Sequence, residues 1–452
     1  MGRLFGTNGI RGVFGEDLTL DLALEVSYSL TTYFRGKNLL VGYDGRHSSP
    51  LIAQVMRAGM NALGTDVANA GLVPTPCLQF CVKSLGYSGG AMITASHNPP
   101  EYNGIKAIAG DGVELSREEE LNVEEIYFNK NFRHVDRKIG EQINEDRAIT
   151  SYIDNIKSLV NVDLIKSKRL TIVLDLGNGA QAVTAPKLMK ELDCKVIAIN
   201  STIDGSFPAR GSEPTPNNLD LLSKTVRENS ADLGIAYDGD GDRSIFCDEK
   251  GNVYGGDKSA AVLAEHILSR NTNARIVTPI NSSMLIDIIA SKHSAKVTRT
   301  KVGSIEVSRE MLKINALLGF EENGGFMYSK HIAVRDGAMT SALMAELIAS
   351  RARRLSQIID ELPELYQHKA KFKCTKEQGI KIVEELLSNA RGRTETLDGV
   401  KIWFDDYSWV MVRQSGTEPV LRLYAESNDS KLLDEIVENY SKQIRNITDV
   451  SG

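Results

Sequence analysis

The stretch Gly89-Gly90-Ala91-Met92-Ile93-Thr94-Ala95-Ser96-His97-Asn98-Pro99-Pro100 joins a short apolar run to a loop that cannot become a helix. The run reads as a strand buried on both faces. Pro99 and Pro100 then bar a helix directly behind it. The Ser96 hydroxyl is therefore expected at the carboxyl end of a strand, where open α/β sheets hold their ligands.

The same grammar runs outward on both sides. Upstream come a glycine-punctuated loop or edge segment (Phe5 to Gly12), an amphipathic helix (Asp21 to Phe34) and an apolar strand, Leu39 to Asp44, ending in Asp44-Gly45-Arg46. A helix (Pro50 to Leu63), a strand (Asp66 to Ala70) and a helix (Thr75 to Ser84) lead to the Ala91 strand. Strands alternating with helices of this length imply parallel βαβ units. Downstream, a charged helix from Ser116 to Asn129 has a serine cap and a glutamate three residues on. Asn129 to Asn144 reads as polar and irregular, and a helix from Asp146 to Val160 leads out of the unit. A second unit starts at the strand Leu170 to Asp175, turns at Gly177-Asn178-Gly179 into a helix, and reaches a strand at Leu233 to Tyr237 after a helix at Asn217 to Glu228. A third runs from about Asp257 through alternating helices and short strands to a long helix, Asp336 to Ser350. From about Lys369 the pattern changes to a helix, a strand-rich stretch (Lys401 to Val412), a strand and a terminal helix. Four domains are expected, at 1–150, 151–253, 254–367 and 368–452: three α/β, the last a smaller α+β domain.

Bulk properties narrow the class. At 452 residues the chain exceeds one ordinary core. A formal net charge of −6 argues against a nucleic-acid binder but leaves room for an anionic substrate held by local positive charge. The chain has no apolar run of membrane length and no signal-peptide apolar region at Met1 to Gly6, so a cytoplasmic protein is expected. Cys77, Cys81, Cys194, Cys247 and Cys374 are scattered and odd in number, which is no disulfide framework. Cys77 and Cys81 share a helix face but lack a second pair, so packing rather than zinc explains them.

Two further loops carry chemistry. In Asp238-Gly239-Asp240-Gly241-Asp242-Arg243 three alternating carboxylates repel unless a cation sits among them, and oxygen-only ligands suit Mg²⁺ before Ca²⁺. An EF-hand is excluded although Glu249 falls at the twelfth position: Arg243 stands where glycine is needed, and the flanks read as strands. Arg413-Gln414-Ser415-Gly416-Thr417-Glu418-Pro419, with Arg422 just beyond, combines guanidinium forks, hydroxyls and a closely approachable backbone. That suits a phosphate cradle and is not a Walker loop. Arg11 and Lys106 are single cations beside glycines. His97 adjoins Ser96, but no G-x-S-x-G elbow supports a hydrolase triad. A nucleophile, a metal cage and a phosphate cradle together point to phosphoryl transfer.

Five stretches in order resemble the α-D-phosphohexomutase family, which includes phosphoglucomutase, phosphomannomutase and phosphoglucosamine mutase: F-G-T-N-G-I-R-G at 5–12, T-A-S-H-N-P at 94–99, D-G-D-G-D-R at 238–243, E-E-N-G at 321–324 and R-Q-S-G-T-E-P at 413–419. The resemblance spans essentially the whole chain. It implies three similar α/β domains with mixed sheets plus a smaller C-terminal α+β domain around a central cleft. It also implies interconversion of hexose 6-phosphate and hexose 1-phosphate through a phosphoserine at Ser96 and a 1,6-bisphosphate intermediate, which also serves as activator. Mg²⁺ would sit on Asp238, Asp240, Asp242 and a phosphoserine oxygen. Arg243 would steady the moving group, and Arg11 and Lys106 would assist proton transfer or charge stabilisation, with His97 beside them. Glu321 and Asn323 would bind the sugar, and Arg413, Ser415, Gly416, Thr417 and Arg422 the non-reacting phosphate. The partner is then a small-molecule hexose phosphate, most simply of glucosamine, mannose or glucose, and the family allows for a homodimer. The chain departs from the common G-E-x-S-G-H pattern, since Gly325 stands where histidine is usual. A metal-dependent sugar phosphatase and a catalytically silent sugar-phosphate-binding protein are the competing readings.

Overall fold

The computed structural model describes residues 4–134, 139–416 and 419–449. The first sheet holds β1 (Ile10–Val13), β2 (Leu39–Tyr43), β3 (Val67–Leu72), β4 (Gly89–Ile93), β5 (Tyr102–Ala109) and β6 (Gln142–Asn144), in the order β1-β5-β4-β2-β3-β6. The second holds β7 (Thr171–Asp175), β8 (Lys195–Ile199), β9 (Leu233–Tyr237), β10 (Ser244–Cys247) and β11 (Val253–Tyr254), in the order β11-β10-β9-β7-β8. The third holds β12 (Arg275–Pro279), β13 (Lys296–Thr300), β14 (Leu318–Phe320), β15 (Phe326–Tyr328) and β16 (Ile332–Arg335), in the order β13-β12-β14-β15-β16.

These three sheets are variations on one plan. A founding strand (β2, β7, β12) lies between two parallel neighbours, and the second of those neighbours (β4, β9, β14) pairs antiparallel with the next strand in the chain. The sheets are therefore mixed, as the family resemblance implied, and not purely parallel as the alternation of strands and helices suggested. The fourth is wholly antiparallel: β17 (Tyr366–Lys373), β18 (Thr394–Glu395), β19 (Val400–Trp403), β20 (Trp409–Gln414) and β21 (Val420–Ser427).

Two expectations need correction. Asn129 to Asn144 is not wholly irregular, because β6 adds to the sheet edge by pairing parallel with β3. All three β6 residues are exposed and only Ile143 is apolar, so the strand carries little apolar signal. The Gly177-Asn178-Gly179 turn opens first into a 3₁₀ turn, Ala180–Val183, and only then into the helix Ala185–Glu191. The strand β8, which follows it, lies at a sheet edge half exposed and has no counterpart among the expected elements.

The long helix Gly337–Arg351 is buried from Gly337 to Ala349, and its one charged residue in that span, Glu346, faces His266 at 3.0 Å. The helix packs against helices of the second unit and against the helix Gly256–Leu268 of the third, and so joins those two units. The fourth sheet alternates its faces. Val410 and Val412 point into a core with Ile382, Leu386, Ile436 and Ile444 of its two helices, while Trp409 and Met411 pack with Ile280 and Met284 of the third unit. Among the described residues no helix is long and apolar enough to cross a membrane.

Candidate functional site

The three loops nominated from sequence occupy one topological position. Thr94 to Glu101 follows β4, Asp238 to Arg243 follows β9, and Glu321 to Gly325 follows β14. Each connects the second parallel neighbour to its antiparallel partner, so each is a hairpin loop anchored by paired strands at both ends.

Ser96 is fully buried and sits in the left-handed region, at φ 51°. Its N–H donates to Thr94 Oγ1 (2.8 Å), and its hydroxyl donates to Asp238 Oδ2 (3.1 Å). Asp44 and Arg46, at the end of β2, hold the loop in this shape. Arg46 is 1% exposed and spends all five N–H donors: Nε on Asp44 Oδ2, Nη1 on the carbonyls of Pro99 and Tyr102, Nη2 on those of Ser96 and Asn98. Asp44 in turn accepts from Ser49 and Thr94, both at 2.6 Å. Ser212 of the second unit donates to the carbonyls of His97 and Asn98, docking that unit on the same loop.

Asp238, Asp240 and Asp242 are buried, and one oxygen from each lies within 4.8 Å of the others. Asp240 Oδ2 accepts from Thr75 (2.6 Å) and Lys106 Nζ (2.9 Å), and Asp242 Oδ2 accepts from Arg335 (2.5 Å). Among the described residues neither Asp240 Oδ1 nor Asp242 Oδ1, both buried, has a hydrogen-bond partner, and Arg243 Nε lies 3.9 Å from the latter. A buried orphan oxygen is costly, and two on neighbouring carboxylates are the donor set a hard divalent cation satisfies. The residues present fit such an ion. Burial, with Asp242 and Asp240 adding to it, pushes the Asp238 carboxyl well above its ordinary range. Burial also opposes ionisation of Asp240, but Lys106 and Thr75 outweigh it and hold that carboxyl low. Lys106 answers in kind: burial works against its charge, Asp240 and Asp242 restore it, and its pKa rises.

His97 lies closer to Ser96 than adjacency on a loop requires, with Nδ1 3.4 Å from the hydroxyl. That nitrogen also faces Arg243 Nη2 at 3.0 Å. Because a guanidinium only donates, Nδ1 is the acceptor and the ring proton sits on Nε2. Arg243, then burial, then Arg11 drive the imidazole pKa well below its usual value, so His97 is neutral. Arg243 is anchored by Glu213 at 2.9 Å. Arg11 donates to Asn98 Oδ1 (2.6 Å), and burial, with Arg243 and Arg335 nearby, pulls it down to about 10.

Glu321 is buried and accepts from Arg335 Nη1 at 2.9 Å. Asn323 Oδ1 takes the Gly325 N–H in a tight turn. In the fourth unit, Arg413 Nε donates to Asp398 Oδ2 (3.0 Å), the oxygen that also accepts from Val302 N of the third unit. Ser415 closes its loop by donating its N–H to Val420. Arg422 pairs across from Arg413 on one side and Lys371 on the other, which puts three cations in one cross-strand row. A Cβ on Gly416 would come within 2.8 Å of Thr7 Oγ1, so this loop reaches the N-terminal segment. Thr417 lies outside the described residues. Sequence reasoning missed Arg46, Thr75, Glu213, Arg335 and Asp398. Only Arg46 carried a signal, as the cation ending an expected strand.

Comparison with known proteins agrees with this geometry. Family models described as phosphoglucomutase/phosphomannomutase alpha/beta/alpha domains I, II and III match residues 2–134, 150–251 and 255–366, and the C-terminal domain model matches 370–443. A phosphoglucosamine/phosphogalactosamine mutase of Sulfurisphaera tokodaii is 40% identical over 98% of this chain and 99% of its own. A phosphoglucomutase/phosphomannomutase of Thermococcus kodakarensis is 41% identical over 97% of each chain. A crystal structure of a phosphoglucomutase/phosphomannomutase family protein from Burkholderia thailandensis superposes with a TM-score of 0.89 at 26% identity, covering 98% of this chain and 97% of its own. With four domain models matched in order and relatives of this identity along its length, the chain belongs to the phosphoglucomutase/phosphomannomutase family of phosphohexomutases.

Proposed function

We propose that the protein interconverts hexose 6-phosphate and hexose 1-phosphate through a phosphorylated Ser96 and a 1,6-bisphosphate that reorients in place. The carrying observation is the Ser96 hydroxyl 3.1 Å from Asp238, at the rim of a buried three-carboxylate cage. The P–O bond to Ser96 Oγ breaks as a bond forms to the free sugar hydroxyl, whose proton balances the seryl oxygen released. The return step reverses this at the other end of the sugar. Such chemistry is mainly positioning and charge neutralisation. Mg²⁺ bound by Asp238, Asp240, Asp242 and the seryl phosphate would supply positive charge beside the transferred group. Lys106 balances the cage, while Arg243 and Arg11 neutralise charge on the moving phosphoryl. His97, neutral, orients Arg243. Glu321 and Asn323 hold sugar hydroxyls. Arg413, Ser415, Gly416, Thr417 and Arg422 grip the non-reacting phosphate in both substrate orientations.

Relatives named for glucosamine and galactosamine, and for glucose and mannose, support a phosphate of one of these hexoses as the substrate. The test is ³¹P NMR with Mg²⁺, a trace of hexose 1,6-bisphosphate and each hexose 6-phosphate in a separate sample, with Ser96→Ala as control. A 1-phosphate signal is expected in at least one sample and none with the variant. Free phosphate alone identifies a phosphatase, and silence throughout a binding protein.

A further inference from the structure

Arg335 ends β16, far from every loop nominated by motif, yet its guanidinium joins two of them. Nη1 donates to Glu321 Oε2 at 2.9 Å and Nη2 to Asp242 Oδ2 at 2.5 Å. The side chain is 4% exposed. Its stem also fills space in the sugar loop itself: a Cβ on Gly325 would lie 2.2 Å from Arg335 Cδ and 2.8 Å from Cγ. No side chain fits at 325 while Arg335 stays where it is. The glycine that replaces the usual histidine is therefore the condition for admitting an arginine from another strand.

We propose that Arg335 is the positioning residue of the sugar site, standing in for a side chain at position 325. With Oε2 of Glu321 committed to the guanidinium, Oε1 is left to face sugar hydroxyls in one fixed orientation. The second N–H pair ties that carboxylate to the cage at Asp242, so the sugar and the phosphoryl-transfer centre share one rigid reference. Small errors in that register are expensive in rate. A planar fork is required, since an ammonium cannot span two carboxylates in this way. The inference rests on the mutase reading above.

The test is a reciprocal exchange: Gly325→His, Arg335→Ala, the double variant, and Arg335→Lys. It is read by kcat and KM for the sugar that wild type converts, and by calorimetric binding of hexose 6-phosphate in a Ser96→Ala background. Gly325→His alone is expected to lose more than a hundredfold in kcat/KM or to fail to fold, because the imidazole and the Arg335 stem compete for one volume. Arg335→Ala is expected to raise KM about tenfold, to lower kcat and to narrow the preference between sugars. The double variant should recover at least tenfold over the worse single variant. Arg335→Lys should lose less melting temperature than Arg335→Ala while still losing about tenfold in kcat/KM. A double variant no better than the worse single one, or Arg335→Ala with unchanged KM and unchanged binding, overturns the proposal. If wild type converts none of the sugars, the mutase reading fails and the binding arm decides: weaker binding by Arg335→Ala sustains the positioning role and equal binding ends it.

Discussion

Replacing Arg46 tests whether the serine loop is held by satisfied hydrogen bonds or merely by chain connectivity. All five of its N–H groups are engaged, four on loop carbonyls and one on buried Asp44. A hydrogen bond from a charged group contributes about 1.5–3 kcal/mol, and removing one partner of a buried ion pair costs about 3–5 kcal/mol. Arg46→Ala is therefore expected to cost at least about 4 kcal/mol. Arg46→Lys keeps the charge but offers three donors for five acceptors, so at least two charge-assisted hydrogen bonds are lost and the cost is about 2–4 kcal/mol. Burial already raises the Asp44 carboxyl, with Arg46 the main effect pulling it back. Without Arg46 that carboxyl rises further. A carboxyl raised in the folded state loses stability as pH climbs from its unfolded value through its folded one, so the Arg46→Ala deficit is larger at pH 8 than at pH 5. Asp44→Asn in the Ala background removes the stranded charge and should recover part of the loss. Ser96, released from its left-handed conformation, is no longer aimed at Asp238, and kcat should fall by about a hundredfold in Arg46→Lys. Urea unfolding and single-turnover transfer measure the two effects. Stability within about 0.5 kcal/mol and kcat within about twofold of wild type in Arg46→Lys would refute the clamp.

Two more outcomes are expected. Arg413→Ala should raise KM and lower kcat together for both hexose phosphates, with a smaller version in Asp398→Asn, since Asp398 orients Arg413 and also takes the Val302 N–H; an unchanged KM removes Arg413 from the phosphate site. Lys401, nearly fully buried, donates to the Ile280 carbonyl and lies 3.8 Å from the Trp409 ring centroid. Burial, with Arg299 adding to it, pulls its pKa down to about 7. The unfolded chain then binds the extra proton between pH 7 and 10.5, so stability rises with pH across that window, by an amount on the order of a few kcal/mol. Lys401→Met should flatten that rise in urea titrations at pH 7 and pH 10, and an undiminished slope in the variant places its origin elsewhere.

What could be read in advance depended on whether a signal was local. The helix Thr75–Ser84 and the strands β4 and β9 match their expected spans, because apolar runs bounded by glycine, proline or charge declare themselves within a few residues. The carboxylate cage was legible for the same reason: its three members lie within five residues. The edge strand β6 was not, being short, mostly polar and exposed. Nor were the buried arginines. Arg46 shows only as the cation ending an expected strand, and the carbonyls it binds lie 50 to 56 residues downstream. Arg335 has no motif around it, with one partner 14 residues before it and another 93. Partnership at that range is set by the stacking of domains, which composition and periodicity do not encode.

The three hairpin loops show why the site forms where it does. In an ordinary doubly wound sheet the strand beside the founding one runs into a helix, and the loop between them is tethered on one side by a helix end. Here β4, β9 and β14 each turn back into an antiparallel strand, so hydrogen-bonded ladders pin both ends of Ser96, of the aspartate cage and of Glu321. The prolines after Ser96 serve that end, since they deny the helix that would have made the first sheet a conventional one. The side chains that cross between loops then complete what the ladders begin. Ser96 meets Asp238 directly, Lys106 on β5 reaches Asp240, and Arg335 on β16 joins Asp242 to Glu321. Each of these crossings comes from, or lands on, a residue at a hairpin mouth, so a shift of any one sheet against another breaks a buried charge contact. Registry among these three units is thus carried by the residues of the candidate site, and a variant that loosens it should lose rate before it loses fold.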